Sequence, residues 1–346
     1  MKKIFIGIDF SKEKFDATVI KAEGVEERAE RQHEVFDNKV SGFRRLIRWV
    51  KSIVDEQDTD LWLFCGETTG GYSRALCNYL YGSGYDMWLE NALSIKRSSA
   101  LHRVKSDKAD SGVIAEYAMR NYDQMRLYKP LGKNLERLRE VFLYRHNLVK
   151  LKASLMVRKG EKKLTQEKSD ISRFMALSSK HLISEFDKKI KECDERIHLI
   201  ISEDEELRRN FEIITSVPGV GTQNAVCLMV YTDNFRRFEY NARKIACYYG
   251  VAPFGRQSGT SVNTPPHVSP LANKLIKALL TQAALAALTF SPPIAAYYQR
   301  LVTEGKKKPV AINNVKNKLL HIITAMVRKQ EKYNPDFDYY TAIKAA

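Results

Sequence analysis

The sequence predicts an α/β domain first, then a long helical segment, then a mainly α C-terminal domain. Three observations carry that prediction. Residues 4–8 form an unbroken apolar run, as a strand buried on both faces does. Ile183, Phe186, Ile190, Cys193, Ile197 and Ile200 recur at steps of three and four, the spacing of a helical seam. From Phe211 onward, glycine- and proline-rich turns separate short apolar helical stretches.

The first strand ends on a carboxylate, Asp9. Residues 14–20 and 33–36 read as two further strands. Ser41 then caps a helix whose apolar residues Phe43, Leu46, Ile47 and Val50 share one face. Residues 61–65 read as a strand followed directly by Glu67, residues 72–80 as a helix and residues 85–89 as a fifth strand. Three strands, a helix, a strand, a helix, a strand and a last helix make a ribonuclease H-like order. That order places Asp9 and Glu67 at the ends of neighbouring strands, where open sheets put their ligands.

Between residues 96 and 110 the chain carries Lys96, Arg97, Arg103, Lys105 and Lys108, with Asp107 and Asp110 as the acids. The spacing of the two aspartates puts both on one face of a helix's first turn. Acids there also suit the helix dipole, so a plain N-terminal cap is the simpler alternative. Four carboxylates, Asp9, Glu67, Asp107 and Asp110, are what a pair of Mg²⁺ ions requires, and the surrounding cations suit phosphates.

Composition narrows the partner. The 346 residues carry 57 Lys plus Arg against 41 Asp plus Glu, a net charge of +16, which favours a polyanion such as nucleic acid. Five widely spaced cysteines form no CxxC pair, and the seven histidines form no zinc pattern. No leader precedes the first strand, and no apolar run reaches about 18 residues. A cytoplasmic protein is expected.

In the middle segment, Val141, Tyr144, Leu148, Leu151 and Leu155 repeat the seam, and the basic stretch 158–169 is expected to hold a turn between two long helices. These helices pair with each other or with another subunit, as a coiled coil or an ordinary bundle. Further on, Pro218-Gly219-Val220-Gly221 resembles the hairpin of a helix-hairpin-helix motif, where backbone N–H groups approach a phosphate. Residues 250–261 read as a small-residue loop containing Arg256 and Ser258, opening onto a stretch with three prolines. Gly255 lies three residues before Ser258, so the loop is not a GxSxG elbow, and its chemistry alone makes Ser258 an ordinary loop residue. Residues 275–288 form an apolar core helix. Residues 300–332 are basic, with Lys306, Lys307 and Lys308 before an amphipathic helix, and read as a nucleic-acid contact or a solvated tail.

The succession is more specific than any part. Asp9, Gly-Glu-Thr-Thr-Gly-Gly-Tyr around Glu67, Lys-Ser-Asp-Lys-Ala-Asp ending at Asp110, the Pro218–Gly221 turn and Gly-Val-Ala-Pro before Arg-Gln-Ser-Gly-Thr occur in that order. This order resembles the DEDD transposases of bacterial insertion sequences, relatives of pilin-gene invertases, over roughly residues 4–290. Ser106 stands where Thr is expected, Ser111 where Ala is, and Lys277 where Arg is usual; Pro270–Asn273 replaces a more basic turn.

The resemblance implies a RuvC-like domain, expected over residues 1–125, and a transposase domain with the serine loop, expected over 211–295 with the helix-hairpin-helix; the residue patterns add a coiled-coil spacer over 126–210 and a basic helical tail over 296–346. It implies that Asp9, Glu67, Asp107 and Asp110 hold two Mg²⁺ ions and that Ser258 is the nucleophile, with Ser261 as a nearby rival. It also implies donor and target DNA, a guide RNA, and a homo-oligomer, dimer or tetramer, whose subunits share a site. Lys277, Gly219, Gly221, Arg256 and the lysines and arginines named above would contact nucleic acid. Two other classes remain open on the residues themselves: a metal-dependent junction nuclease using water, and a non-catalytic nucleic-acid-binding protein.

Overall fold

The computed structural model describes residues 4–21, 31–55, 58–68, 70–98, 107–164, 170–258, 262–269 and 272–335. The chain divides into two compact units, Met1–Pro130 and Leu131–Ala346.

The first unit is built on a five-stranded mixed sheet of order β3-β2-β1-β4-β5. Its strands are β1 (Ile4–Phe10), β2 (Lys14–Lys21), β3 (Arg31–Asp37), β4 (Trp62–Glu67) and β5 (Met87–Glu90). β1 pairs antiparallel with β2 and parallel with β4, as the ribonuclease H-like order requires. Alternate residues point to opposite faces. Ile4, Ile6, Ile8 and Phe10 pack on one side with α1 (Val40–Ile53) and α2 (Arg74–Gly82). Phe5, Leu63, Cys65 and Trp88 pack on the other with α3 (Ala92–Ser98) and α4 (Asp107–Arg120). The expected core face of α1 is buried, but Ser41 is not its cap. The helix begins at Val40, with Lys39 in the cap position and the Lys39 N–H donating to the Asp37 carbonyl.

The second unit opens with two long helices packed together, α5 (Lys133–Leu164) and α6 (Asp170–Ser202). The α6 seam lies where it was expected: Cys193, Ile197 and Ile200 are buried, and Ile183, Phe186 and Ile190 are half-buried. The α5 seam does so only in part: Val141, Leu148 and Leu155 are buried or half-buried. Tyr144 and Leu151 are 56% and 55% exposed, and the packed stripe instead runs through Leu135, Leu138, Phe142, Arg145, Leu148, Lys152 and Leu155. Arg145 joins this stripe by a bidentate ion pair to Asp194 of α6 (2.6 and 3.0 Å), and Lys152 by one to Asp187. The basic stretch begins as helix, since α5 continues to Leu164; residues 165–169 lie outside the described residues.

One core then joins α7 (Glu205–Thr215), α8 (Thr222–Tyr231), α9 (Ala242–Tyr248), α10 (Lys274–Phe290), α11 (Pro292–Thr303) and α12 (Lys308–Lys329). α12 is an integral part of that core: Leu319, Leu320, Ile322, Ile323 and Met326 are buried in it. The expected small-residue loop is largely a strand. β6 (Pro253–Ser258) pairs antiparallel with β7 (Val262–Val268), and this hairpin forms a two-stranded sheet of its own. Pro265 and Pro266 fit there because edge strands leave backbone positions unpaired. Among the described residues no single helix is long and apolar enough to cross a membrane.

Candidate active site

Strand register brings the first two acids together. β1 and β4 pair Ile8 with Gly66, and the next step of that register sets Asp9 beside Glu67. Both residues are half-buried, and both lie on the face of the sheet that α4 covers. Sequence reading predicted this adjacency from strand order alone.

What brings α4 close is Gly7. A Cβ built there would lie 2.2 Å from the Ser111 carbonyl oxygen and 2.3 Å from the Ala115 nitrogen. The helix backbone therefore rests directly on the β1 backbone, two residues before Asp9. Its first turn begins at Asp107 and includes the exposed Asp110. The backbone thus sets both aspartates on the helix end that adjoins the strand ends; the Asp107 side chain lies outside the described residues.

Three contacts pin α4 in place. Ser111 Oγ and Thr18 Oγ1 of β2 share a buried hydrogen bond of 2.8 Å. Glu116 bridges Arg31 of β3 at 2.5 Å. On the other flank, the Tyr117 hydroxyl hydrogen-bonds with Glu90 of β5; burial first, and then the charge of Glu90, push this phenol up. Burial, aided by Glu90, pushes the Cys65 thiol up, and Phe5, Leu63, Cys65 and Trp88 form a buried apolar floor beneath the acids.

The acids continue sideways beyond those read from sequence. Asp16 pairs with Asp9 across β1 and β2, and Glu90 pairs with Glu67 across β4 and β5. Carboxylates directly opposite one another repel. Asp16 is turned into a hydrogen bond with His33 Nε2 at 2.8 Å, and Glu90 accepts from Tyr117 and from the Asn91 N–H. Sequence reading missed Asp16, His33, Glu90, Tyr117, Thr18 and the role of Gly7. The signal for Glu90 was present: it ends a strand as Asp9 and Glu67 do.

Carboxylate oxygens at strand ends suit a hard divalent cation. Among the described residues no three His, Cys, Asp or Glu side chains are grouped so that they could hold a metal ion. Sequence reading assigned such an ion to Asp9, Glu67, Asp107 and Asp110; of these, the Asp107 side chain lies outside the described residues. Lys96 and Arg97 are exposed on the last turn of α3. Arg103 and Lys105 lie outside the described residues, as does the side chain of Lys108.

In the second unit, Ser258 ends β6 opposite Val262. Residues 259–261, Ser261 among them, and the side chains of Arg256 and Ser258 lie outside the described residues. The Pro218–Gly221 turn joins α7 to α8. Gly219 (φ +86°) faces inward, where a Cβ would lie 2.3 Å from the Ala287 nitrogen of α10. Gly221, the residue capping α8, faces open space. Lys277 is half-buried on α10, and Lys306, Lys307 and Lys308 are exposed at the start of α12.

Comparison with known proteins identifies the family. A family described as "Transposase" of the DEDD IS110 type matches residues 6–166, and the "Transposase IS116/IS110/IS902 family" matches residues 211–299. The chain is 25% identical to a pilin gene-inverting protein of Moraxella bovis, covering 96% of this chain and 98% of that protein. It is 30% identical over 116 residues to an uncharacterized 43.6 kDa protein of insertion element IS110 from Streptomyces coelicolor, covering 34% of this chain and 28% of that protein. A solved structure of Thermus thermophilus RuvC is similar over 36% of this chain and 99% of that chain, with 13% identity and a TM-score of 0.27. The two transposase matches follow one another in the order of the motifs, and the chain belongs to the IS110/IS116/IS902 family of DEDD transposases.

Proposed function

We propose that this chain cuts and rejoins DNA to move an insertion sequence, using the acids of the first unit and Ser258 of the second. The observation that carries the proposal is the strand-end row of Asp9 and Glu67 beneath the acid-bearing turn of α4. A water-excluded floor strengthens every charge interaction above it.

Serine is a weak nucleophile near neutral pH and needs activation. Mg²⁺ held by Asp9, Glu67, Asp107 and Asp110 would polarise the scissile phosphate and favour ionisation of the attacking hydroxyl. Ser258 Oγ then forms the new P–O bond. The P–O bond to one strand end breaks, and that end leaves as an alcohol after taking up a proton. The other end stays on the protein as a phosphoserine ester, so the bond energy is kept for rejoining. Attack by a hydroxyl of a second strand reverses the step and frees the serine.

Lys96, Arg97, Arg103, Lys105, Lys108, Arg256, Lys277, Lys306, Lys307 and Lys308 are proposed to hold phosphates, consistent with the net charge of +16. Gly221 at the open start of α8 suits the phosphate approach of a helix-hairpin-helix, whereas Gly219 serves that turn by docking it on α10. The α5–α6 pair is read as a coiled-coil spacer, in a division at 1–125, 126–210, 211–295 and 296–346. A structured guide RNA that pairs with donor and target DNA, and a homo-oligomer, complete the reading.

Asp9→Ala and Asp107→Ala should each abolish strand cleavage while DNA affinity, measured by fluorescence anisotropy, stays within about threefold. Full cleavage by Asp9→Ala would remove the acids from the chemistry.

A further inference from the structure

Among the described residues, two half-buried lysines of the second unit have no carboxylate partner. Lys277 lies on α10 and Lys316 on α12, and both are half-buried. Among the described residues neither is paired with a carboxylate. Lys277 Nζ donates to the Ser269 carbonyl at 3.1 Å, and Lys316 Nζ donates to Thr281 Oγ1 at 3.1 Å. Thr281 in turn donates to the Lys277 carbonyl at 2.7 Å, which ties the two lysines into one cluster. An ammonium has three donors, so each lysine keeps two beyond these contacts. Burial first, and then the charge of Lys277, lower the Lys316 ammonium below the usual lysine range. Two like charges held together and partly desolvated destabilise a free protein unless an anion arrives.

The cluster sits at the foot of the β6–β7 hairpin. Ser269 follows β7, and the Val251 carbonyl, just before β6, accepts from Asn313 of α12 at 2.8 Å. Asn313 and Lys316 are three residues apart and so share one face of α12. The neighbouring Gly250 leaves room for this arrangement: a Cβ there would lie 3.4 Å from the Lys277 side chain and 2.3 Å from Ala272.

We infer that Lys277 and Lys316 together bind one backbone phosphate of a nucleic-acid strand that runs along the hairpin towards Ser258. The inference rests on the transposase reading and adds Lys316, which no sequence motif singled out.

The test uses the full chain with Lys316→Gln, Lys277→Gln, the double variant and Lys316→Arg. Anisotropy of a labelled DNA duplex and of a labelled single-stranded RNA of equal length is measured over a range of salt. Each Gln variant should reduce the slope of log affinity against log salt by about 0.9 for duplex, or about 0.7 for a single strand. The double variant should lose no more than either alone, because one phosphate is shared, and Lys316→Arg should keep the slope. A loss confined to one arm assigns the strand to DNA or to RNA. The free Lys316→Gln protein should melt no lower than wild type, since an uncompensated charge has been removed. Wild-type slopes in both Gln variants, or a lower melting temperature in Lys316→Gln, would overturn the inference alone. Wild type that bound neither probe would overturn the transposase reading with it.

Discussion

Gly7 decides where the acid-bearing helix can lie. The atoms nearest to its missing side chain are the Ser111 oxygen and the Ala115 nitrogen, both backbone, so neither can swing aside as a flexible side chain would. Gly7→Ala should push α4 off the sheet and cost about 1–3 kcal/mol through overpacking. Asp107 and Asp110 move with the helix, so cleavage should fall by more than the loss of folded protein explains. Urea unfolding alongside a cleavage assay checks both, and an unchanged midpoint would mean that the close approach carries no weight. Asp9 and Glu67 were legible as a pair because each ends an apolar strand run. The docking of α4 was not legible, because a glycine inside a buried strand has many possible causes and only the packed helix shows which applies.

At the scale of elements, α4 is fastened at β2, β3 and β5, and the buried Thr18–Ser111 bond is the inner fastening. Removing either hydroxyl leaves the other without that partner in an apolar setting. Thr18→Val and Ser111→Ala should each cost about 1–2 kcal/mol, and the double variant less than their sum by about 1 kcal/mol. Strictly additive losses in a denaturant double-mutant cycle would deny the bond a role in holding α4. The long helices show the opposite limit of sequence reading. On α6 the seam is apolar throughout and periodicity found it. On α5 the stripe passes through Arg145 and Lys152, whose ion pairs to Asp194 and Asp187 take the place of apolar contacts. The neighbouring apolar Tyr144 and Leu151 drew the reading one position aside. The β6–β7 hairpin hid for a related reason, since its glycine, prolines and polar residues carry little strand signal.

For the whole molecule, the acids occupy one unit and Ser258 the other. The order of the motifs was readable because each combines a charged or hydroxyl group with glycine or a strand end. The Lys277–Lys316 cluster was not, because a lysine at the surface and a half-buried lysine look alike until burial and partners are known. One measurement separates attack by Ser258 from hydrolysis by water. End-labelled DNA carrying the element's ends is incubated with Mg²⁺ and wild type, Asp9→Ala, Ser258→Ala or Ser261→Ala, then run on a denaturing gel with and without protease. The account predicts a protease-sensitive, slow-moving band with wild type and Ser261→Ala that is absent with Asp9→Ala and with Ser258→Ala. Free cut ends produced by Ser258→Ala, with no slow band from wild type, would contradict it.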